Sequence, residues 1–93
     1  MAKRININTE DDKSEVKIAD TFIGDYLTST ALNVRKYASD NAEIIGVLDI
    51  NTRVKCDGRY EIYNGTRYLH IIANVDGKEL DGYCQVRFLI KQF

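Results

Sequence analysis

Apolar and polar residues alternate along the C-terminal part of the chain, and two turn signals, Asn64-Gly65 and Asp76-Gly77, punctuate the alternation. Such dipeptides favour two-residue hairpin loops, whose central positions require positive φ. Taking Asn64-Gly65 as a loop sets Tyr63 opposite Thr66, Ile62 opposite Arg67, Glu61 opposite Tyr68 and Tyr60 opposite Leu69. Counting on sets Arg59 opposite His70, Cys56 opposite Ala73 and Val54 opposite Val75. Directly opposed residues share a face. One face then gathers Val54, Cys56, Tyr60, Ile62, Leu69, Ile71, Ala73 and Val75, and the other gathers Lys55, Arg59, Glu61, Tyr68, His70 and Asn74. The pattern predicts a buried face and a wet face, with Arg67 alone on the wrong side, reaching water from beside the turn.

Asp76-Gly77 as the second loop sets Lys78 opposite Val75, Leu80 opposite Ala73, Gly82 opposite Ile71 and Cys84 opposite Leu69, and Val86, Phe88 and Ile90 continue the parity. Asp57-Gly58 is not a third hairpin loop. It would set Val54 against Glu61 and mix faces, so Gly58 reads as a bend or bulge inside one long strand. Gly58, Ile71 and Gly82 then stand abreast. The two glycines leave a trough where the sheet can curl or a helix can approach closely.

The period changes upstream. From Ser14 to Asp40, Val16, Ala19, Phe22, Ile23, Tyr26, Leu27, Val34, Tyr37 and Ala38 fall on one stripe at helical repeat, which predicts an amphipathic helix. Gly24 and Thr28-Ser29-Thr30 are poor helix formers, so the helix is expected to kink or break near residues 28–30. Arg4 to Asn8 reads as a short strand and Glu43 to Ile50 as another. The fold class expected is α+β: a helix packed on a strongly curved antiparallel meander of four to five strands, with a small β-barrel containing a helix as the runner-up. The element order is similar to the cystatin and monellin type in topology alone. No Gln-Val-Val-Ala-Gly type hairpin is present, so no residue role or activity carries over.

Ninety-three residues suit one domain, 1–93, and 44% hydrophobic with 29% charged residues is ordinary for a globular chain. The formal net charge of -1 argues against whole-molecule attraction to phosphate backbones. The acidic cluster Glu10, Asp11, Asp12 and Glu15 reads as a solvated helix start. Apolar runs are too short for a membrane span, and no leader pattern opens the chain, which predicts a cytoplasmic location without membrane contact. Cys56 and Cys84 fall on different strands and read as free thiols of a reducing compartment. No spacing supplies a metal site or a cofactor motif.

Chemistry on the wet face reduces to rows: Glu61, Tyr68 and Gln85; Arg59, His70 and Tyr83; Asp57, Ile72 and Asp81. His70 is the only histidine. Its row neighbours Arg59 and Tyr83 supply neither a nucleophile nor an orienting carboxylate, so the chain is not expected to be an enzyme. Tyrosine and arginine around an exposed isoleucine match the composition of interface anchors. The candidate partner-binding residues are Arg59, Tyr68, His70, Ile72, Tyr83 and Arg87. The function expected is a small non-enzymatic binding protein, an inhibitor or accessory factor, that occupies a protein partner through this face or an open edge strand. The alternative is single-stranded nucleic-acid binding by the same Tyr and Arg residues, against which Asp57, Glu61, Glu79 and Asp81 count. The last strand, 87–93, outruns its hairpin partner, an edge suited to homodimerisation.

Overall fold

A computed structural model of the protein describes residues 17–93. Eight antiparallel strands form one sheet: β1 (Lys17–Ile18), β2 (Gly24–Thr28), β3 (Leu32–Arg35), β4 (Ile44–Leu48), β5 (Arg53–Tyr63), β6 (Thr66–Val75), β7 (Lys78–Gln85) and β8 (Leu89–Lys91). Their order is β4-β3-β7-β6-β5-β2-β8, with β1 also on β5. Two single 3-10 turns, Asp20–Phe22 and Val86–Phe88, interrupt the strands.

The α+β expectation is therefore wrong, because 17–40 holds strands where a helix was predicted. The reason lies in residues whose preferences oppose the helical stripe. Gly24 takes a φ of 144°, outside any helix. Thr28, polar and so counted as outward, is fully buried beside buried Tyr26, and Leu32 and Val34 point inward across exposed Asn33. With Thr28 inside, the alternation is that of strands. A short helix also gains little by itself, whereas β2 pairs both β5 and β8. The barrel runner-up fails as well: β4 and β8 end the strand path, and the sheet does not close. The predicted strand at Arg4 to Asn8 and the acidic helix start at Glu10 to Glu15 lie outside the described residues.

Both hairpins fold as their turns dictate. Asn64 and Gly65 take φ of 49° and 78°, Asp76 and Gly77 53° and 80°, and the β6–β7 register matches at every pair from Tyr68 opposite Gln85 to Val75 opposite Lys78. The β5–β6 register holds from Tyr63 opposite Thr66 to Tyr60 opposite Leu69, and then shifts. Asp57, Gly58 and Arg59 together stand against His70, so Cys56 faces Ile71 rather than Ala73. Gly58 is the expected bulge, with φ of 96°. The surplus is even, so Val54 and Cys56 keep their inward face. The expected row of Gly58, Ile71 and Gly82 does not form, because Cys56 takes the place of Gly58.

The two glycines instead admit a neighbouring segment each. A Cβ on Gly82 would lie 2.5 Å from the Arg35 carbonyl oxygen and 2.8 Å from Val34 Cγ1, so β3 crosses closely there. At Gly58 a Cβ would meet Ile23 Cγ1 at 2.8 Å, and the Ala19 N–H donates to the Gly58 carbonyl at 2.9 Å. Val34, Leu48, Val54, Leu69, Ile71 and Cys84 form the centre of the core. Cys56 and Cys84 are buried free thiols, and burial pushes Cys84 up to about 12.

The chain end departs from expectation. β7 stops at Gln85, the 3-10 turn redirects the chain, and β8 pairs with β2, Leu27 facing Ile90. The final strand is thus no extension of the hairpin. A separate corner holds the start of β5: Thr28 Oγ1 donates to the Asp49 carbonyl at 2.6 Å and accepts from the Thr52 N–H at 2.9 Å, while Asn51 takes a φ of 64°. No helix among the described residues is long and apolar enough to cross a membrane.

Candidate functional site

Arg59, His70 and Tyr83 do come together, and the Gly58 bulge explains how. The bulge swings Asp57 over β6, where its Oδ2 lies 3.0 Å from His70 Nδ1, and Asp81 on β7 sets Oδ1 2.5 Å from His70 Nε2. Arg59 Nε donates to Asp57 Oδ2 at 2.9 Å, and the Tyr83 ring lies 5.4 Å from the imidazole. A neutral imidazole has one N–H and can donate to only one of two carboxylates. His70 is only 5% exposed, while Asp57 and Asp81 reach solvent. Partial burial raises Asp57, but hydrogen bonds from the Arg59 backbone and guanidinium and from His70 outweigh it, and its carboxyl falls to about 2. The cluster clips three strands together on the outer face. Each ring nitrogen lies within hydrogen-bonding distance of a carboxylate, which corrects the expectation that no orienting carboxylate stands beside His70.

Tyr68 also leaves the surface. It is 1% exposed, and its hydroxyl donates to Asp40 in the connection between β3 and β4. Burial first, and then the Asp40 carboxylate, push its hydroxyl up to about 12. Ile72 is half-buried between Lys55 and Asp81. Arg87 lies in the second 3-10 turn, its guanidinium 5.1 Å from the Phe88 ring. Of the six candidate residues, Tyr68 and His70 are buried. The wet face is not the exposed aromatic platform that alternation implied.

Sequence reasoning passed over the edge of β4. Among the described residues β4 pairs only with β3, with a bulge at Ile45, because Gly46 faces Val34 and Ile44 faces Arg35. Ile44 is 47% and Val47 56% exposed, and no charged residue lies between Ile44 and Leu48. The available signal was the uncharged run Ile44-Ile45-Gly46-Val47-Leu48 in a strand already predicted. The other terminal strand, β8, has three residues and ends on Lys91, a guarded edge by comparison. Among the described residues no group of His, Cys, Asp and Glu could hold a metal ion. No protein-family model matches this chain, and neither a curated protein nor a solved structure shows significant similarity to it.

Proposed function

We propose that this protein is a non-enzymatic binding protein that engages a protein partner by strand addition at β4. The single observation behind this reading is the uncharged edge with Ile44 and Val47 exposed. An incoming strand would take main-chain hydrogen bonds from β4 and cover these side chains. The engaged state of His70 supports the absence of catalysis, because a general base needs a free nitrogen within reach of its substrate. Buried free thiols at Cys56 and Cys84 suit a cytoplasmic setting. Nucleic-acid binding on the outer face loses support, since the buried Tyr68 ring is not open to a base.

Val47→Lys tests the reading by adding a charge to the exposed edge without touching the core. The variant should melt within about 0.5 kcal/mol of wild type and lose the partner that wild type retains from lysate. Equal retention by the two proteins would remove β4 as the functional edge.

A further inference from the structure

A second surface lies at the far end of the β5–β6 hairpin. A groove of about 400 Å³ runs between the Asn64-Gly65 turn and the second 3-10 turn, lined by Ile62, Thr66, Arg67, Val86 and Arg87. Its walls hold two arginines, two aliphatic side chains and no carboxylate. Ile62, on the core-facing side by parity, is 53% exposed here. The Arg67 guanidinium rests 5.4 Å from the Phe22 ring centre and 5.9 Å from that of Tyr60, and Arg87 rests against Phe88. Among the described residues neither arginine belongs to an ion pair, although Arg53 and Arg59 each do.

We propose that this groove binds an acidic peptide segment of a partner protein, an aliphatic residue entering between Ile62 and Val86 while neighbouring carboxylates take Arg67 and Arg87. A guanidinium with no ion-pair partner among the described residues has N–H groups that can donate two parallel hydrogen bonds to a carboxylate. The same cation–π contacts argue against nucleic acid. Arg67 occupies the Phe22 and Tyr60 rings, and Arg87 that of Phe88, so bases lack a platform. The site is separate from β4 and does not depend on the strand-addition reading.

Fluorescence anisotropy on the full chain at low ionic strength tests it. The probes are a labelled peptide alternating Glu and Leu, its Lys-for-Glu counterpart, and a labelled oligothymidylate. The acidic peptide should bind, and added salt should weaken it. Arg87→Gln, which removes the guanidinium beside Phe88, should weaken binding about tenfold, the worth of a hydrogen bond to a charged group. Arg87→Lys should recover part of that loss, because it restores charge without the planar fork. Failure of the acidic peptide to bind, or equal binding of the basic one, overturns the proposal. So does unchanged binding by an Arg67→Gln, Arg87→Gln double variant that melts like wild type. Tighter binding of oligothymidylate would assign the groove to nucleic acid instead. A gain of about tenfold on neutralising Glu10, Asp11, Asp12 and Glu15 would assign it to this chain's own acidic run. Val47→Lys should leave peptide binding unchanged, which separates failure here from failure at β4.

Discussion

The β5–β6–β7 meander and the segment from β1 to β4 reach the same kind of structure by different physics. In the meander, turn chemistry sets the register without help from distant contacts: Asn64-Gly65 and Asp76-Gly77 align the four pairs from Tyr60–Leu69 to Tyr63–Thr66 and all eight of the β6–β7 pairs, Ile71 opposite Gly82 among them. In the earlier segment nothing local decides. β2 is a strand because β5 and β8 flank it, and β3 is one because β4 and Gly82 accept it. The meander is therefore tolerant at its turns and intolerant in its interior, while the earlier segment fails wherever a distant partner is lost.

The largest effect that separates the two belongs to Gly82, where they meet. Gly82→Ala should cost about 3 kcal/mol by urea denaturation, since overpacking is relieved only by moving the β3 backbone. Gly77→Ala has open space around it and meets only its φ of 80°, so about 1 kcal/mol is expected. Equal costs would mean that β3 does not press on β7. Next is Thr28→Val, which keeps shape but orphans the Asp49 carbonyl and the Thr52 N–H that Thr28 Oγ1 serves. About 2 kcal/mol should be lost, and amide exchange should rise at β2 and the start of β5 before it rises at β6–β7. Simultaneous exchange in all strands would erase the distinction between the regions.

The smallest effect probes the clip within the meander. Asp57 titrates at about 2 when folded, below its ordinary 3.8. Its contribution is fully present above the unfolded value and disappears as pH falls through the folded one. The carboxylate is 41% exposed, so screening limits that contribution to about 1 kcal/mol. Asp57→Asn should flatten the acid limb of the stability curve between about pH 4 and pH 2. An unchanged limb would show that Asp57 does not hold His70 in solution.

What was legible in the sequence follows the same division. Asn-Gly and Asp-Gly carry their conformation with them, and parity assigned Leu69, Ile71, Ala73 and Cys84 to the core. The Gly58 bulge was legible as a break, but not in its length, because its surplus residues leave parity unaltered. The helix error came from Thr28, whose burial depends on a corner at Asp49 and Thr52 that no local pattern announces. The outer face was misread for a related reason. Parity places Tyr68 and His70 outward, and they are outward, but Asp40 from one connection and Asp57 and Asp81 from neighbouring strands enclose them. Alternation tells which way a side chain leaves its strand, not what another segment brings to meet it.

The bulge at Gly58 also bears on how such a chain can change length over generations. A strand whose irregularity comes in twos can gain or lose a dipeptide there while every inward side chain beyond it stays inward. Loss of a single residue would turn Val54 and Cys56 toward solvent.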